Sequence, residues 1–152
     1  MLAWSSAMQA FVRDHRVARL ATVDESGQPL VLPICYVLEG DILCSPTDAK
    51  PKRVPVQRLK RLRNIQAHPQ VALVIDDYSD DWTQLAHVIL HGMAEVLTDG
   101  PVFAQAIPAL RQKYPQYGQM PIEDNPMIVV HLTRAVGWGA LHYGDSWQVT
   151  RK

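Results

Sequence analysis

The stretch RVARLATVDESGQPLVLPICYVLEGDILCS, residues 16–45, decides the fold class. Residues 16–23 alternate with the period of two of a strand, interrupted by Arg19. Asp24 to Gln28 is a turn cluster around Gly27. Residues 29–38 then run apolar on both faces, with Leu30, Leu32, Ile34, Tyr36 and Leu38 on one and Val31, Pro33, Cys35 and Val37 on the other. A strand apolar on both faces is covered on both. Pro33 offers no N–H, which points to a sheet edge or a bulge. Glu39-Gly40-Asp41 is a second turn, and residues 42–45 form a third strand. The stretch predicts an antiparallel meander of three strands.

Upstream, Trp4, Ala7, Met8 and Phe11 follow the i, i+3, i+4, i+7 spacing of an amphipathic helix over residues 2–14. Downstream, residues 46–57 hold three prolines and no period, as a rigid loop does. Leu59, Leu62 and Ile65 predict a short helix ended by His68-Pro69. Residues 71–76 read as a buried strand, 76–82 as an acidic turn and 85–97 as a long strand. Gly100-Pro101 opens a further helix with Pro108 as a possible kink, and residues 127–138 form the last strand. The order is helix, three strands, helix, two strands, helix, strand. It predicts one α+β domain over 1–152, a closed or nearly closed antiparallel barrel of six strands with flanking helices.

Composition narrows the function. The chain has 152 residues, of which 47% are hydrophobic and 20% charged, with 15 basic and 15 acidic side chains. Net charge therefore argues for no polyanionic partner. No apolar run reaches the roughly 20 residues of a membrane helix, and the N-terminus lacks the basic-then-apolar order of a secretion signal. Two cysteines are too few for a disulfide framework, so a reduced, cytoplasmic setting is expected.

The charge is unevenly spread. Lys50, Lys52, Arg53, Arg58, Lys60, Arg61 and Arg63 crowd into 14 positions with no acid among them after Lys50. Lys50, Lys52 and Arg53 precede a helix start, where free N–H groups and the positive end of the dipole hold anions. That combination suits a phosphate. A single basic helix without an aromatic platform argues against nucleic acid. His87 and His91 have the spacing of a helical metal pair, but on a strand they stand about 13 Å apart and cannot share an ion. No metal site is expected. Cys35 and Cys44 read as small core residues with no base beside them. The acidic run Asp76, Asp77, Asp80, Asp81 lacks the closing Glu and central Gly of a calcium loop. Trp138, at a strand end, offers a flat surface that could cover an aromatic ring.

Four motifs carry a resemblance: ATVDESGQP (21–29), DAKPKR (48–53), LKRLRNI (59–65) and DDYSDDW (76–82). Together they resemble the pyridoxamine 5′-phosphate oxidase-like split-barrel flavoproteins over roughly residues 10–138, and more closely the branch that uses the deazaflavin coenzyme F-420. The resemblance implies a six-stranded split barrel, a homodimer and two cofactor sites at its interface. It implies that Lys50, Lys52 and Arg53 contact the cofactor phosphate with Ser45 and Thr47. It places Leu32, Pro33, Ile34 and Cys35 along the ring system, with Asp76, Tyr78 and the partner subunit's Trp138 closing the site. Arg58 and Arg61 would meet the polyanionic tail of the deazaflavin. Residues 85–88, Leu-Ala-His-Val, depart from the bulky aromatics of close relatives, which leaves the substrate open.

Three activities follow: an oxidoreductase that uses coenzyme F-420 on a small organic substrate, an FMN-dependent oxidoreductase, and a non-catalytic carrier or sensor of flavin, deazaflavin or haem. No side chain stands out as an obligate acid or base, so the catalytic residues stay unassigned and a proton would come from solvent or a tyrosine. The hard chemistry belongs to the cofactor.

Overall fold

The computed structural model describes residues 2–47 and 59–141. Its elements are α1 (Ser6–Asp14), β1 (Ala18–Val23), β2 (Pro29–Ile34), β3 (Val37–Glu39), β4 (Ile42–Pro46), α2 (Lys60–Ala67), β5 (Gln70–Asp77), β6 (Ala86–Leu97), α3 (Pro101–Lys113) and β7 (Met127–Gly139). All seven strands belong to one antiparallel sheet in the order β2-β1-β5-β6-β7-β4-β3.

The two edge strands are neighbours in the chain, separated only by Cys35 and Tyr36. Laid flat, seven strands would hold their edges about 29 Å apart, whereas three residue steps span at most ~11 Å. The sheet therefore curls into a barrel whose seam is closed by the chain itself rather than by a ladder.

This corrects the meander and the count of six. Residues 29–38 form two strands, because the backbone of Tyr36 is taken by a distant side chain. The Tyr36 N–H donates to Tyr114 Oη at 3.0 Å, and the same hydroxyl lies 2.9 Å from Tyr36 O and 2.7 Å from Arg16 O. With those bonds made off the ladder, β1–β2 and β3–β4 are separate hairpins on opposite edges. The edge position of β2 accommodates Pro33 as the sequence suggested.

The inward face of the sheet packs Leu20, Leu73, Ile75, Val88, Leu90 and Val130 into one core, plugged at one end by Met8, Phe11 and Val12 of α1. Burying a side chain of this size stabilises by about 1.5–3 kcal/mol. A second cluster sets Phe103, Ile107 and Leu110 of α3 against Val37, Cys44 and Val129. The first helix begins at Ser6 rather than residue 2. Ser5 caps it by accepting from Met8 N at 3.1 Å, while the Leu2 N–H donates to Asp41 Oδ2 at 2.6 Å and ties the leading residues to the β3–β4 turn. Pro101 occupies the first turn of α3, and Pro108 lies inside the helix without ending it. Among the described residues no helix is long and apolar enough to cross a membrane.

Candidate cofactor site

Strand register builds a polar band on the outer face of the barrel. It pairs Asp76 with His87 and His87 with Trp138, side by side on β5, β6 and β7. The His87 and Trp138 rings stack, with centroids 5.4 Å apart and planes 22° apart. Arg19 of β1 donates from Nη1 to Asp76 Oδ1 at 3.1 Å and pairs across the ladder with Pro33 of β2. One band thus runs across five strands. Beside it on the same face lie two apolar rows, Val31–Ala21–Ala72 and Val74–Ile89–Val136. Val31 is 62% exposed and Met93, further along β6, 41%. The other row residues, Ala21, Ala72, Val74, Ile89 and Val136, are half-buried.

Register therefore brings together Pro33, Asp76 and Trp138 of the expected site residues, and adds Arg19 and His87. Sequence reasoning met Arg19 only as a break in an alternating pattern and His87 only as a rejected metal ligand. Their common signal is a polar side chain at an outward strand position, which points nowhere until the register is known. Among the described residues no cluster of His, Cys, Asp or Glu could hold a metal.

Other expected residues lie elsewhere. Leu32 is half-buried on the opposite side of β2 from Pro33, and Ile34 is part of the barrel core. Cys35 is half-buried in the β2–β3 link against the α3 cluster. Its thiol lies within electrostatic reach of Lys113 and Tyr114. Burial, and then the charge of Arg16, lower the Lys113 ammonium to about 8, although it sits 4.0 Å above the Tyr36 ring. Burial raises the Tyr114 phenol to about 12 and pushes the Cys44 thiol up to about 11, which leaves Cys44 a poor nucleophile. Tyr78 does not join Asp76. It lies past the strand end, 73% exposed, and donates to Asp80 Oδ1 at 3.1 Å.

Ser45 and Thr47 form a third group, both buried. Thr47 directs its N–H and its hydroxyl at Pro126 O, at 3.2 and 2.7 Å. The preceding residue, Asn125, buries an Nδ2 donor that has no partner among the described residues. The chain leaves Thr47 and returns at Leu59, the N-cap of α2, which supplies no side-chain cap. The first turn of α2 holds Lys60 and Arg61 and no acid. Lys60 Nζ stands 3.9 Å from Asp24 Oδ2, toward the β1–β2 turn. Lys50, Lys52, Arg53 and Arg58 lie outside the described residues.

The family model for pyridoxamine 5′-phosphate oxidase matches residues 5–138. No curated protein matches the sequence. Solved structures share the fold. A conserved hypothetical protein from Mycobacterium tuberculosis superposes with a TM-score of 0.71 at 20% identity, over 90% of this chain and 86% of that one. The haem storage protein HutZ from Vibrio cholerae gives 0.66 at 16% identity, over 89% and 96%. An F-420 reductase gives 0.64 at 23% identity, over 88% and 98%.

Proposed function

Because the chain belongs to the pyridoxamine 5′-phosphate oxidase family, whose model spans residues 5–138, we propose that it is an oxidoreductase that holds coenzyme F-420 between two copies of itself and acts on a small organic substrate. The observation that carries this reading is the uncapped, acid-free first turn of α2, with the orphan Asn125 donor near the strand end that leads toward it. A buried donor without an acceptor and a helix start without a cap both fit an anionic group.

In this reading Lys50, Lys52 and Arg53 hold the phosphate with Ser45 and Thr47, and Arg58 and Arg61 meet the anionic tail. Pro33 borders the ring, and the partner's Trp138 covers it. When bound, the deazaflavin supplies the carbon that carries the hydride. The protein binds, orients and excludes water. The apolar rows around Ala21, Val74 and Ile89 form the two-fold interface, the commonest closed arrangement. FMN at the same phosphate loop is the second reading, since it needs no cation beyond that loop. A haem carrier, as the likeness to HutZ suggests, would bind without turnover.

Paired fluorescence titrations with F-420 and FMN separate the readings, using wild type and Arg58→Glu at low and moderate salt. Losing a charged contact to the ligand costs about 1.5–3 kcal/mol, so the substitution weakens F-420 about 10- to 150-fold and leaves FMN nearly unchanged. F-420 binding also falls more steeply with salt. Tighter FMN binding in wild type, indifferent to the substitution, overturns the F-420 reading.

A further inference from the structure

A cleft of about 880 Å³ opens at the barrel mouth, between α1, the β5–β6 connection and the residues after β7. Its size lies within the range of small-molecule sites, roughly 300–1,000 Å³. It is separate from the outer band, because Asp77 follows Asp76 on the opposite side of β5, in line with the core residues Leu73 and Ile75.

The lining is apolar at its floor and polar at its rim. The floor is apolar, from Ala7, Ala10 and Phe11 of α1 together with Leu141. The small alanine side chains leave room for a ring. The rim carries two carboxylates, Asp77 and the exposed Asp14, whose Oδ1 lies 3.5 Å from Arg13 Nε outside the cleft, with the Tyr78 phenol beside them. No described Lys or Arg lines the cleft. The one basic lining group, His15, is committed elsewhere. Its Nδ1 lies 2.7 Å from Phe11 O and its Nε2 2.6 Å from Asp77 Oδ1. Both ring nitrogens thus already lie within hydrogen-bond distance of a protein oxygen. The same two bonds fix the floor, since the His15 ring packs on Phe11 at 4.0 Å between centroids.

We propose that this cleft is a binding site for an organic cation, an amine carried on an apolar ring. The ring lies on Ala7, Ala10 and Phe11. The ammonium meets Asp14 at the rim and the face of Tyr78, which attracts cations through its quadrupole. Carboxylates and phosphates bind more weakly, because they would bring a further negative charge to a rim that already holds Asp14 and Asp77. The site stands whether or not the chain binds a deazaflavin.

The test uses naphthylmethylamine, naphthylmethanol and naphthoate, three probes of one shape and different charge, in fluorescence and saturation-transfer titrations of the full chain. The amine binds most tightly and naphthoate at least about tenfold more weakly. Asp14→Asn weakens the amine by about fivefold, the size of one ion contact at 4 Å in a water-exposed site, and barely changes the alcohol. Ala10→Trp fills the floor and removes all three. Gln84→Trp, at the exposed rim, is a second filling variant if Ala10→Trp does not fold by circular dichroism. Naphthoate binding as tight as the amine overturns the proposal. So does binding that survives a folded filling variant, or no amine binding at millimolar concentration. Cofactor titration of the same variants reports on the cofactor reading separately.

Discussion

Asp76 and Asp77 are consecutive carboxylates at the end of one strand, and they serve two different surfaces. Asp76 faces outward, paired with Arg19 at 3.1 Å and flanked by the stacked His87 and Trp138, beside apolar rows on the convex face of the barrel. Asp77 faces the barrel mouth, paired with His15 at 2.6 Å over a concave floor. The period of two in a strand is enough to divide an acidic run between the outer face and the barrel mouth. What distinguishes the two sides is the curvature and polarity around each carboxylate.

The largest test of that contrast is on the outer face. Ile89→Lys sets a charge in the middle of the apolar rows and weakens self-association by about 100-fold or more, near 3 kcal/mol. Light scattering at micromolar concentration is expected to report a dimer for wild type and a monomer for the variant. The cleft at the mouth keeps its affinity for the amine. An intact dimer in the variant would remove the outer face as the interface.

At the mouth, the largest loss is expected from Tyr36→Phe. Tyr36 is fully buried and its hydroxyl donates to Val12 O in α1. Leaving that carbonyl without a donor costs about 1–3 kcal/mol, read as a shift in the urea midpoint with an unchanged slope. A loss below ~0.5 kcal/mol would mean that α1 is held by its apolar face alone.

The smallest effects come from the carboxylates themselves and sharpen the contrast most. Asp77→Asn loosens α1 and costs about 1 kcal/mol. Asp76→Asn breaks an exposed pair and costs about 0.5 kcal/mol or less. Thermal denaturation of the two variants side by side gives the order. Equal losses would mean that the faces differ in shape and not in the work their acids do.

Much of the fold could be read from alternation and turn residues. The positions of β1, β5, β6 and β7 follow their periodicity, and Gly100-Pro101 marked the start of α3. The break at Cys35-Tyr36 could not be read, because residues 29–38 are apolar on both faces and Pro33, the proline inside the run, lies within β2 rather than at the break. The bonds that split them come from Tyr114, far along the chain. The basic loop was legible as a charge cluster. The outer band was not, since Arg19, Asp76, His87 and Trp138 belong together only through register. That register includes a bulge between His91 and Gly92, where a Cβ on Gly92 would come within 2.6 Å of His131 O.

The Tyr114 clamp on Tyr36 also has a consequence in time. The two residues are 78 positions apart. At a synthesis rate of roughly 5–20 residues per second, about 4–16 s pass between making one and making the other. During that interval β1–β2 and β3–β4 can pair as hairpins, but the side chain that joins their seam does not yet exist. Each hairpin therefore carries open strand edges while the chain is being made, the feature through which β-proteins aggregate, and those of β2 and β3 gain no ladder partner later. β2 is short and interrupted by Pro33, and β3 spans only Val37–Glu39. Short and proline-bearing edges are poor templates for another chain, which suits a barrel whose closure comes late in synthesis.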